Sequence, residues 1–493
     1  MNIRLTGLKI YNTQTQEFEV RNIDIHEKKY KQAGTAQYEE SCDVINLRNH
    51  YLYPAIIDSH LHLLGIGVEQ NRYNLNHITS AESLKTVIIT QDTSFVVLRG
   101  WDESHLGFFP DRAFIDSVLP DRKCLLIRKC GHTATCNSLL IEALKQNGIA
   151  ETDDSDFSRG ILKERTLELT MQLIQYSKKD LVHFLAKASD SVKKTGITCV
   201  HSDDYHSNHI IDLVDVLKNQ KEIRIFEKIN PKTIKELNDF IESDVFHANE
   251  TEYTSIRSVK TFLDGSFGAK SAYLKKPYQG TQNKGVLYMN SDEFAQYVRI
   301  CEENDLQLLV HIIGDGALDV ALDGFQRSIT SYNPLRHRII HIQMASDEQL
   351  KRIKEMNLYL SIQPIFYTSD YDMALNILGK ERMEQIAYPF KRALDLGIEC
   401  SLSTDAPVED YNPFKNMVSA THFFDLKTAF EKYTLASAKA GFMENRLGRI
   451  ADGYAADGFI SDKNIFELNN EQLASFQPKA IIYDGKINHY ISD

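Results

Sequence analysis

Between residues 55 and 407, nearly unbroken apolar runs alternate with amphipathic stretches. The runs are AIIDSHLH (55–62), GITCVHS (196–202), IRIFEKI (223–229), SIRSVKTFLD (255–264), LQLLVHIIGD (306–315), RIIHIQMAS (338–346), LYLSIQP (358–364) and IECSLSTDAP (398–407). Runs that are apolar on both faces suit parallel strands covered by helices on both sides. The stretches between them, such as SDEFAQYVRICEEND and SDEQLKRIKEMN, read as helices. In the first of these, Ser291 reads as the N-cap, with Asp292 and Glu293 in the acidic first turn. The alternation predicts an α/β protein built on a (β/α)8 TIM barrel. A doubly wound sheet is the alternative, but no GxGxxG follows the first strand.

The two ends of the chain follow a different rhythm. Residues 1–53 and the last fifty residues carry short, alternating strand-like segments, and neither end is long enough for a sound sheet of its own. Together, residues 1–53 and 445–493 are expected to form one small β-sandwich-like domain, with the barrel at 54–444. The interval from about 66 to 190 breaks the barrel rhythm with the extra strand candidates SFVVLRG and CLLIRKCGH and a helical stretch near 163–190. It reads as an insertion after the first barrel strand that helps wall the active site.

Composition narrows the function classes. The chain has 493 residues and a net charge of −12, which argues against nucleic acid and anionic membrane surfaces as partners. No apolar run is long enough to span a bilayer, and the first twenty residues are too polar for a signal peptide, so a cytoplasmic protein is expected. The seven cysteines are widely spaced and include no CxxC pair, which predicts small buried side chains rather than disulfides or a thiolate zinc site.

Chemistry collects at the ends of the predicted strands. His60 and His62 stand two residues apart in YPAIIDSHLHLLG, so on a strand both imidazoles project from one face and can grip one metal ion. Imidazole suits zinc, nickel, copper and iron, whereas magnesium and calcium prefer oxygen. An isolated HxH is as readily a hydrogen-bonded strand end. Lys260, His311, His341 and Asp405, however, abut four further apolar runs. Such groups are expensive to bury without a partner, and six at one end of a barrel point to a metal site. Four histidines and an aspartate exceed the needs of one tetrahedral zinc. A neutral lysine can add CO2 and become a carboxylate-like bridge, and desolvation favours that step. For Lys260 taken alone, a salt bridge, for instance to Asp264, is the plainer reading.

The motifs DSHLHL, RGWDES, KCGHTATCNS, GILKE, VKTFLDGSFGAKSAYL, HIIGDGALD, HIQMAS, STDAPV and LGRIADGYAADGF cover most of the chain. The whole resembles the amidohydrolase superfamily and, within it, the YtcJ-like branch. The resemblance implies one or two divalent ions, most commonly zinc. It puts His60, His62 and Asp405 on the more buried ion, His311 and His341 on the second, and Lys260 between them, carboxylated or free. It further implies a metal-activated water attacking a carbonyl carbon, with Asp405 passing the water's proton to the leaving group. Asp58, Trp101, His132, Glu164, His201 and Asp264 are substrate-site or supporting candidates, and Tyr278 and Gln363 weaker ones. Each has a structural alternative: a turn cap for Asp58, a packed aromatic for Trp101 and a loop-stabilising histidine for His132. One departure is local: Asp457 is followed by Gly458, where the family pattern continues into an apolar run.

The expected activity is hydrolysis of a C–N bond (amide, N-acyl or N-formyl) in a small molecule. Ester or lactone hydrolysis and deamination of a cyclic substrate would use the same water, and a silent scaffold would be expected to have lost ligands. The homodimer common among such enzymes carries over only as an expectation, because no interface signature is legible.

Overall fold

The computed structural model describes residues 2–32, 42–130, 132–152, 155–204, 210–247, 250–329 and 332–489. It falls into two compact units: residues 1–63, 189–204 and 220–493, and residues 64–188 with 205–219.

The first unit holds the barrel. Its strands are β1 (Ile56–Leu61), β2 (Ile197–Ser202), β3 (Arg224–Ile229), β4 (Thr254–Phe262), β5 (Gln307–Ile312), β6 (Arg338–His341), β7 (Tyr359–Ile362) and β8 (Cys400–Leu402). They pair in parallel in chain order, one strand for each apolar run. Every residue of β1, β2, β3, β6, β7 and β8 is buried, which is why the runs lack alternation. The ring closes just beyond β8: Asp405 N donates to His60 O at 2.9 Å, and His62 N to Ala406 O at 2.8 Å. One end of helix Ser291–Glu303 differs from expectation. Asn290, not Ser291, is the N-cap, because its carboxamide accepts from two backbone N–H groups while Glu293 reaches back to the cap, a complete capping box.

Both termini meet in one eight-stranded sheet. Tyr51–Pro54 pairs in parallel with Ile3–Asn12 and antiparallel with Gly458–Ser461, so one short strand joins the two ends of the chain. Leu5, Leu8, Ile10, Ile25, Leu52, Ile460 and Ile482 form the core of this layer. The Asp457–Gly458 departure has a packing cause. A Cβ on Gly458 would stand 2.6 Å from Tyr53 O and 2.8 Å from the Tyr30 hydroxyl. Gly458→Ala is therefore expected to cost about 1–3 kcal/mol by overpacking, seen as a lower denaturant midpoint with an unchanged slope. Asp457 pairs with Arg224 at the head of β3, Nε to Oδ2 at 2.7 Å, with both side chains buried.

The second unit carries its own sheet. Phe95–Trp101 and Lys123–Arg128 run parallel, and Thr133–Cys136 and Ile161–Lys163 extend the sheet antiparallel. Alternate residues of Phe95–Trp101 face two apolar clusters. Val96, Leu98 and Trp101 lie in one with Leu84 and Ile115, and Phe95 and Val97 in the other with Leu140 and Leu144. Helix Ile210–Asn219, which follows the second barrel strand, also belongs to this unit. The seven cysteines are free and five are buried. Among the described residues no helix is long and apolar enough to cross a membrane.

Candidate metal centre

His60 lies on β1, and His62 directly follows that strand. His60 Nε2 approaches Asp405 Oδ1 at 3.0 Å and His62 Nε2 approaches the same oxygen at 3.3 Å. The ligand atoms of His60, His341 and Asp405 all lie within 4.8 Å of one another. The His341 ring stands 5.5 Å from that of His60 and 4.5 Å from that of His311. Five of the six residues singled out from the sequence thus form one continuous group inside the barrel mouth. Lys260, fully buried on β4, points its Nζ at Asp203 Oδ2, 3.3 Å away.

The surrounding hydrogen bonds fix how the imidazoles face. His62 Nδ1 is 2.7 Å from Asp203 O, His341 Nδ1 is 2.9 Å from Gln363 Oε1, and His311 Nε2 is 3.2 Å from Gly265 O. At His341 and His311 the acceptor takes the ring N–H and leaves the other nitrogen with a free lone pair, as in ligating histidines, whereas the second nitrogen of His62 faces Asp405 Oδ1 at 3.3 Å. Backbone conformation is strained at two of these residues. His341 has φ +75° and Asp405 φ +62°, left-handed values that are uncommon away from glycine and gather at functional sites.

Electrostatics agrees with a cation-binding cluster. Burial, then the charge of Lys260, holds the His60 imidazole far below its usual pKa. The same two causes, in the same order, push His311 down to about 3. His341 is lowered by burial and then by His311. His62 is the exception: burial pulls it down, but the Asp405 carboxylate 3.3 Å from its Nε2 and the Asp203 charge outweigh burial and raise it. Three imidazoles are therefore neutral near pH 7, and His62, shifted the other way, is the one at which a proton competes most with a cation. Affinity for zinc should rise as pH rises through the raised His62 pKa, with a slope of about one proton. Chelator competition across a pH series checks this, and a slope of three would contradict it.

Two buried carboxylates brace the cluster. Asp58 accepts from His60 N at 3.0 Å, Thr404 N at 3.1 Å and the Thr404 hydroxyl at 2.7 Å, tying β1 to the turn that carries Asp405. Asp264 accepts from Ile313 N, Gly314 N and Tyr273 N at 2.8–3.0 Å, locking the loop after β4 to the end of β5 beyond His311. Burial pushes both carboxyls up to about 7 against the pull of these donors.

The other candidates fall elsewhere. Trp101 is fully buried in the second unit's core, its Nε1 donating to Leu126 O at 2.8 Å, the surroundings of a packed aromatic. His132 is exposed on the turn before Thr133–Cys136. Glu164 opens helix Glu164–Gln172, and its side chain lies outside the described positions. His201 is fully buried, its Nδ1 3.1 Å from Arg338 Nη1. Lys260 takes its ion pair from Asp203 rather than Asp264, because the Asp264 oxygens already serve three backbone donors. Asp203 was not singled out from the sequence. Its only signal is HSDD, a pair of carboxylates closing an apolar strand. Lys228 and Arg338, buried cations inside the barrel, were likewise missed.

The amidohydrolase family model matches residues 43–489. A Bacillus subtilis (strain 168) protein with an amidohydrolase name, YtcJ, is 26% identical over 95% of this chain and 94% of its own. Among solved structures, an uncharacterised metal-dependent hydrolase from Pyrococcus furiosus superposes with a TM-score of 0.81 at 28% identity, covering 95% of this chain and all of its own. A second, from Pyrococcus horikoshii OT3, gives 0.79 at 25% identity, covering 96% and 99%. The chain belongs to the amidohydrolase family and is a metal-dependent hydrolase.

Proposed function

We propose that the chain hydrolyses a C–N bond of a small amide, N-acyl or N-formyl compound, with His60, His62, His311, His341, Lys260 and Asp405 holding divalent zinc. The carrying observation is a buried cluster of unsatisfied donor atoms. Both ring nitrogens of His60 and Oδ1 of Asp405 lack a hydrogen-bond partner although buried. Each such orphan costs on the order of 1–3 kcal/mol, and a cation between His60 Nε2 and Asp405 Oδ1, which lie 3.0 Å apart, would satisfy those two. An imidazole and carboxylate set is a donor set for zinc. Bound metal supplies a water acidic enough to attack at neutral pH and a Lewis acid for the carbonyl oxygen.

The chain does the rest. Asp405 Oδ1, between His60 and His62, takes the water's proton and delivers it to the leaving nitrogen. Asp58 and Thr404 hold the Asp405 turn against β1, and Gln363 and Asp203 hold His341 and His62 in one tautomer. Lys260 is the bridging candidate: it is buried on β4, its Nζ 3.3 Å from Asp203 Oδ2, and carboxylated it would offer a carboxylate to two ions. The test is metal content per chain, followed by a panel of N-acyl and N-formyl compounds beside matched esters. Two ions and turnover restricted to amides support the reading. Ester-only turnover, or turnover untouched by chelation, overturns it.

A further inference from the structure

The second unit holds a concave cavity of about 370 Å3 that the hydrolase reading leaves unused. Arg72, Arg99 and Lys129 line it beside a single carboxylate, Glu69. The excess of positive charge stands out in a chain of net charge −12. Glu69 is already engaged, its Oε2 3.0 Å from Arg72 Nη1. Arg72 Nε is buried and has no hydrogen-bond partner. Among the described residues, the side chains of Arg99 and Lys129 have no ion pair or hydrogen bond, and both are exposed into this hollow.

The floor is shaped to match. The pairing of Phe95–Trp101 with Lys123–Arg128 skips a residue between Arg99 and Trp101, leaving Gly100 as a bulge with φ +109°. Bulges re-aim neighbouring side chains and gather at binding sites. Arg99 is exposed although the four residues before it are buried. A Cβ on Gly100 would stand 2.6 Å from Asn76 Oδ1, so only glycine leaves the floor open. Tyr73, 45% exposed, offers a ring at the rim.

We propose that this cavity binds a phosphate group, free or as the monoester of a small molecule. Three cations against one carboxylate match a dianion, and an arginine fork beside a lysine point charge suits tetrahedral oxygen. The cavity's size is that of a small-ligand site.

The experiment is calorimetric titration of the full-length protein with inorganic phosphate and with phenyl phosphate, before and after metal chelation. Saturable binding that survives chelation is expected, weakened about 10-fold or more by Arg99→Ser and again by Lys129→Ser. It should also weaken as salt is raised. Lys129→Arg keeps the charge and should retain binding, which separates loss of the site from loss of fold. Tighter binding of phenyl phosphate identifies a monoester site using Tyr73, and equal binding identifies free phosphate. Absence of saturable binding overturns the proposal. So does binding that disappears on chelation, or that is indifferent to both serine substitutions.

Discussion

Asp405→Asn is expected to lower turnover by about 10²- to 10⁴-fold, the range associated with loss of a general acid–base group, while the folded chain keeps its stability and its metal. The geometry supplies both halves of this expectation. Asp405 Oδ1 is buried with only His60 Nε2 and His62 Nε2 beside it, at 3.0 and 3.3 Å, contacts that a carboxamide oxygen can keep. The backbone there sits at φ +62°, a conformation asparagine adopts more readily than most residues. Asp405→Ala adds the cost of a left-handed alanine, about 1–2 kcal/mol, and removes a ligand atom. Elemental analysis, kcat and thermal midpoint on the two variants separate the roles. Metal retained with turnover lost in Asp405→Asn marks the proton carrier. Full turnover in that variant would remove Asp405 from proton transfer altogether.

The second large effect concerns stability. Asp457→Ala should destabilise the chain by about 3–5 kcal/mol, because it strands the buried Arg224 guanidinium. The two side chains are 4% and 3% exposed, and the next carboxylate, Asp484 Oδ1, lies 3.7 Å from Arg224 Nη2. Asp457 Oδ1 also accepts from Asp484 N at 2.9 Å, so the substitution leaves a backbone donor unpaired as well. Asp457→Asn would keep that acceptor and lose only the charge, with a smaller cost. Denaturant unfolding measures both. A loss below about 1 kcal/mol in Asp457→Ala would show that Asp484 or water replaces the partner. Because the pair joins the head of β3 to the residue just before strand Gly458–Ser461, its loss should loosen the terminal sheet first, visible as faster amide exchange in Gly458–Ser461.

What the sequence by itself determined is the set of features written in consecutive residues. The eight barrel strands were legible because a strand covered on both faces is largely apolar along its length. The proximity of His60, His62, His311, His341 and Asp405 was legible because charged or imidazole groups at the ends of such runs are costly to bury singly. The meeting of the termini in one sheet followed from neither end being long enough alone. Tertiary structure alone decided the partners. Asp203 meets Lys260 and His62, Gln363 meets His341, and Arg224 meets Asp457, across separations that no local pattern encodes. Trp101 became a core residue and helix Ile210–Asn219 joined the second unit for the same reason. A residue's periodicity reports whether its own face is buried, whereas its hydrogen-bond partner depends on the register and closure of strands hundreds of residues apart.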